Sequence, residues 1–136
     1  MKSTAILIGL AFAVLCFLAA CSGEVNGVPE PHSSPQSSIA AGRSLIAAYG
    51  CGSCHSIPGI PGADAMAAPP LDRFYKRSYI DGRLPNTEEN LTKWIQDPQG
   101  IDPGNAMPNL GVTEDEARQI AAYLYHKPSV VDWISR

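Results

Sequence analysis

Proline and glycine set the terms for this fold. Pro58, Gly59, Pro61, Gly62, Pro69 and Pro70 fall within residues 56–72, and Pro98, Gly100, Pro103, Gly104, Pro108 and Gly111 within 98–111. Proline removes a backbone donor and glycine invites turns, so neither segment sustains a period-two strand or a long helix. Regular structure is confined to three windows between these breaks.

The first window predicts a helix from about Ile39 to Tyr49, capped by Ser38 and closed by Gly50. The second predicts a helix from near Asn86 to about Gln96, with Asn86 and Glu89 at capping-box spacing and Pro98 behind it. The third begins after Thr113, with Glu116 three residues on as a second capping box, and Pro128 ends it. Its apolar positions Ala117, Ile120, Ala121, Leu124 and Tyr125 form the stripe of a core-facing helix. Three modest helices joined by long loops make a poor core unless something large and apolar fills the middle.

Cys51-Gly52-Ser53-Cys54-His55 supplies a reason for that gap. This is the CxxCH pattern of c-type haem attachment. Two thiols three residues apart can add to vinyl groups on neighbouring pyrroles, and the adjacent imidazole then lies under the iron. A thiol–disulfide pair is the first competing reading, but such motifs follow a strand in a βαβ unit, and none is predicted here. Structural zinc needs about four ligands. No second cysteine pair exists for it, and His32 and His126 are the remaining histidines.

Met107 is the candidate for the sixth position on the iron. It sits between Ala106 and Pro108 in the second broken segment, with no helical apolar face to join. A thioether is a soft, neutral ligand that raises the reduction potential relative to a second imidazole. Met66, also in a loop but only 11 residues after His55, is the rival. His126 near the end of the third helix is the weaker alternative.

The N-terminus predicts export. Met1 and Lys2 precede the apolar run of residues 5–20, which is short for a bilayer span of about 20 residues and reads as a signal peptide. Leu18-Ala19-Ala20-Cys21 resembles the lipobox of bacterial lipoproteins, implying a diacylglycerol on Cys21. An ordinary signal peptide that leaves Cys21 a free thiol, or an uncleaved apolar anchor, are the competing readings. All of them put the following domain outside the cytoplasm. Removing 20 residues leaves 116, and because Lys2 goes with them the net charge becomes −4 instead of −3. Without a basic face there is no case for a nucleic-acid partner. Residues 22–37, rich in Ser, Pro and Gly and including His32, are expected to be a tether reaching at most about 55 Å. The domain is then expected over 38–128, with a tail at 129–136.

Over residues 38–127 the chain resembles class I cytochromes c of the monohaem bacterial type. The resemblance rests on a first helix running into CGSCH, a loop with APPL, a middle helix with a Trp, AMPNLGVT, and a closing helix AAYLY. It implies an all-α fold of three or more short helices around one haem, with His55 and Met107 as iron ligands. It further implies that the carbonyl of Pro69 (or Pro70) takes the His55 proton, that Leu71 contacts the haem face, and that the Trp94 indole N–H reaches a propionate. The other propionate is left to Arg83 or Arg73. Gly42 should allow a close helix crossing, with Tyr123 and Tyr125 packing there.

A haem closed on both sides has no room for a substrate. The expected task is therefore one-electron transfer, with no catalytic residues, in an extracytoplasmic respiratory chain. Its partners would be a terminal oxidase or a dehydrogenase, and its membrane contact a lipid anchor. The alternatives are a haem subunit of a larger oxidoreductase, or a sensor or peroxidase with an open distal site.

Overall fold

The computed structural model describes residues 34–126. The expected signal peptide, Cys21, His32, most of the expected tether, Pro128 and the expected tail lie outside the described residues.

Helix α1 spans Pro35–Ala48 and starts four residues before the expected Ile39. Ser34 is the reason: its side chain accepts from the Ser37 N–H, and Pro35 fits the first helical turn, where no N–H is needed. Residues 35–37, expected in the tether, are therefore helical. Gly50, in the left-handed region at φ 68°, ends the helix and turns the chain into a 3-10 turn at Cys51–Ser53.

A second 3-10 turn at Phe74–Lys76 leads to a small antiparallel hairpin, β1 (Tyr79–Ile80) with β2 (Leu84–Pro85). Asp81 and Gly82 both take positive φ at its tip, and Arg83 N–H closes the turn on Ile80 O at 3.0 Å. That backbone is the one Asp-Gly favours in a tight hairpin. The hairpin is a small addition to the all-α expectation.

Helix α2 is Glu88–Gln96, and its cap corrects the expected one. Thr87 accepts from Asn90 N–H, while Asn86 turns away and ties other segments together. A single helical turn, α3, follows at Pro98–Ile101. Helix α4, Glu114–Tyr125, carries the expected Thr113–Glu116 capping box and buries Ala117, Ile120, Ala121 and Leu124.

Helices α1 and α4 cross at Gly42. A Cβ there would lie 2.0 Å from Gln119 O and 3.1 Å from Tyr123 Cβ. Tyr123 packs at this crossing as expected and donates to Pro58 O at 2.6 Å, fastening the loop after the cysteine motif. Tyr125 goes elsewhere: its ring meets Phe74 edge-on at 6.1 Å and its hydroxyl donates to Asn86 Oδ1. Tyr49 Oη reaches Glu116 Oε2 at 2.9 Å, joining the end of α1 to the start of α4. Ile46, Ile57, Phe74, Leu91, Ile95 and Ile120 fill the core.

Candidate functional site

Cys51 and Cys54 are separate free cysteines on and beside the turn after α1, with Cys54 exposed. Burial raises the Cys51 thiol above its ordinary pKa. The motif is held by the backbone: Cys54 N–H and His55 N–H both donate to Cys51 O, at 3.3 and 3.0 Å. The loop beyond it closes on itself through Ile57 N–H to Ala63 O at 2.9 Å, and through Leu71 N–H to Ser56 O at 2.8 Å. Ala68 N–H returns to Cys54 O at 2.9 Å.

This closure brings Pro69 O to 2.7 Å from His55 Nδ1. A carbonyl only accepts, so Nδ1 carries the proton and Nε2 keeps a lone pair. Such a bond orients an imidazole and strengthens it as a donor to a metal. Pro70 O, the neighbouring alternative, is engaged by the Arg77 guanidinium instead. Leu71 is half-buried against the core.

Met107 is likewise half-buried and packs against the core, whereas Met66 is 91 % exposed. A cage of amides builds the Met107 loop. Gln99 Nε2 donates to Met107 O at 2.8 Å and to Asn105 O at 2.9 Å, and Gly104 N–H returns to Gln99 Oε1. Asn105 Oδ1 accepts Met107 N–H at 2.7 Å while its amide nitrogen holds Pro98 O and Asp102 O. Asn109 spans Gln99 N–H and Asp97. His126, the weaker rival, is the half-buried cap of α4, its N–H on Ala122 O and Tyr123 O.

Trp94 is 8 % exposed on the inner face of α2. Among the described residues its indole N–H has no protein acceptor, yet it is not sealed from solvent. Arg83 is held by Asp102 at 2.9 Å and Asp81 at 3.8 Å, and Arg73 by Asp72 at 3.3 Å.

These groups fit a covalently held haem: two thiols at attachment spacing, an imidazole with one nitrogen occupied, a half-buried thioether and a free indole donor. Sequence reasoning did not find Arg77, Asn86, Gln99, Asn105 or Asn109. Arg77, Asn86, Gln99 and Asn105 donate to backbone carbonyls 3 to 12 residues away, and Asn109 joins Gln99 N–H to the Asp97 carboxylate, at separations that follow no regular spacing.

The chain spans between a fifth and a third of the length of the curated relatives it matches. It is similar to cytochrome c oxidase subunit 2 of Alkalihalophilus pseudofirmus, 34 % identical over 102 residues that cover 74 % of this chain and 29 % of the relative. Subunit 2 of the oxidase of Bacillus sp. strain PS3 is 36 % identical over 78 residues, covering 54 % and 22 %. That of Bacillus subtilis is 33 % identical over 88 residues, covering 63 % and 25 %. No solved structure matches significantly. The cytochrome c family model matches residues 39–127, nearly all of the described fold. The chain therefore belongs to the cytochrome c family, with haem c and its iron as cofactor and electron transfer as its chemistry.

Proposed function

We propose that this chain is a class I monohaem cytochrome c, lipid-anchored at Cys21 outside the cytoplasm, that passes single electrons to or from a membrane oxidase or dehydrogenase. Bound haem supplies an iron that cycles between ferric and ferrous forms. The observation that carries the reading is the 2.7 Å approach of Pro69 O to His55 Nδ1, which leaves Nε2 as a strengthened donor for that iron. The thiols of Cys51 and Cys54 would hold the ring as thioethers, each S–H adding across a vinyl group without net oxidation. Met107 would hold the iron through its sulfur and so keep small molecules from binding there. Trp94 donates its free indole N–H to a propionate, and Leu71 covers the ring face.

The similarity to oxidase subunit 2 over about a quarter of that protein supports a terminal oxidase as the electron partner. It equally favours a second setting, permanent residence as the haem subunit of such a complex. Copurification with an oxidase at fixed stoichiometry separates the second setting from a free carrier.

Carbon monoxide tests the ligand assignment. The wild-type ferrous protein should bind it slowly, because sulfur must first leave, while Met107→Ala should bind it rapidly. Equal rates would mean that Met107 never closed the iron, and a sensor or peroxidase would replace the carrier. For the anchor, Cys21→Ser should abolish lipid labelling and leave unprocessed precursor or soluble protein. An unmodified wild-type protein, soluble and starting elsewhere than Cys21, would refute the lipid attachment.

A further inference from the structure

Pro69 and Pro70 have no N–H groups, so this stretch cannot anchor itself by donating backbone hydrogen bonds. Ala68 N–H on Cys54 O and Leu71 N–H on Ser56 O pin its flanks, and between them the two proline carbonyl oxygens are fixed by what they accept. Pro69 O is taken by His55, and Pro70 O by the guanidinium of Arg77. We propose that Arg77 is a positioning residue for the His55 imidazole, acting through this pair of adjacent carbonyls. The proposal rests on the reading of His55 as an iron ligand.

Arg77 is itself held at its guanidinium and at its backbone. Its guanidinium carbon lies 5.2 Å from the centroid of the buried Phe74 ring, a stacking contact suited to a planar cation. Asn86 spends both amide hydrogens on carbonyls of the same turn, Phe74 O at 2.9 Å and Arg77 O at 3.0 Å. Its remaining oxygen accepts from Tyr125 Oη at 2.7 Å, and the Tyr125 ring stands edge-on against Phe74. Helix α4 thus fixes Asn86, Asn86 fixes the turn that carries Arg77, and Arg77 fixes Pro70 O, next to the carbonyl that His55 uses.

Two roles for Arg77 predict opposite changes in reduction potential. A cation near the iron favours the ferrous form, so losing charge alone would lower the potential. Loosening Pro69 O weakens the hydrogen bond that makes His55 a strong donor, which disfavours ferric iron and raises the potential. Arg77→Lys keeps the charge and removes the planar fork, so it isolates the second effect.

The test uses the ferric holoprotein and follows solvent exchange of the His55 Nδ1–H by NMR alongside the reduction potential. In Arg77→Lys, exchange should be about tenfold faster, the opening that follows loss of one hydrogen bond, and the potential should rise. Exchange at the wild-type rate, with the potential unchanged or lower, overturns the positioning role. Tyr125→Phe keeps the ring against Phe74 and removes only the hydroxyl that holds Asn86. It should shift both readouts in the same direction by about threefold less, and it decides the matter where Arg77→Lys yields too little holoprotein. Unmoved readouts in Tyr125→Phe then overturn the proposal. Wild-type protein lacking hyperfine-shifted His55 ring protons would remove His55 from the iron and refute both readings together.

Discussion

Gly42→Ala sets two known effects against each other at the α1–α4 crossing. In an open helix the change would stabilise by about 1 kcal/mol through helix propensity. Here the added methyl carbon would lie 2.0 Å from Gln119 O, 2.7 Å from Gln119 C and 3.1 Å from Tyr123 Cβ. Ordinary contact needs about 3.5 Å, so the helices must part by roughly 1.5 Å. The obstacle is helix backbone, which has no rotamer to turn aside. Overpacking of a tight contact costs about 1–3 kcal/mol, occasionally more, and a backbone clash belongs at the top of that range. The net expectation is a loss of about 2 kcal/mol, or a fall in Tm of about 8–16 °C for a domain of this size. Thermal unfolding of the holoprotein, followed by far-ultraviolet circular dichroism and by haem absorbance, measures it. A variant as stable as wild type, or more stable, would refute the tight crossing.

Glu116 accepts from Thr113 Oγ1 and N–H and from Tyr49 Oη, and these bonds hold its carboxyl below the ordinary pKa. In acid the unfolded chain therefore binds the proton more readily. The contribution is whole above the ordinary carboxylate pKa and is lost as pH falls through the lowered folded value. Denaturant midpoints measured against pH should show a shallower acid slope for Glu116→Gln. Tyr123→Phe removes the bond to Pro58 O and should cost about 1 kcal/mol in urea unfolding, with helix content unchanged. Met107→His should keep a six-coordinate iron and lower its potential in redox titration, since imidazole favours ferric iron more than a thioether does. Met66→Ala, at a side chain 91 % exposed, should leave the visible spectrum unchanged.

Local signals in the sequence located the helices well where one residue type had one job. Thr113 and Glu116 mark α4 because a capping box needs only residues three apart. Gly42 and Tyr123 were legible as a crossing through the family resemblance. Ser34 is hard to recognise as a cap because the polar residues around it read as tether, although Pro35 beside it is a helix-start signal. Asn86 reads as a cap because its fitness for that role hides its actual use, three hydrogen bonds to partners 9, 12 and 39 residues away. The Asp81-Gly82 hairpin was missed because strands of two residues are too short to show alternation. At the site, the five-residue motif announces its own chemistry. The supports of the Met107 loop and of Pro69–Pro70 are side-chain bonds at irregular separations of 2 to 14 residues, which become visible only when the chain is folded.

The amide cage around Met107 has a consequence for how the molecule would fail in acid. Gln99, Asn105 and Asn109 do not titrate, and Asp97 is the ionisable side chain among the bonds described for that cage. The opposite corner, where Tyr49 meets Glu116, depends on a carboxylate that must stay ionised. Falling pH would therefore act on the ends of α1 and α4 through the Glu116 carboxylate, whereas the three amide side chains that shape the sulfur-presenting loop have no charge to lose. The two ends of the domain are thus fastened by different chemistry, a charged acceptor at the helical clasp and mostly neutral amides at the methionine loop.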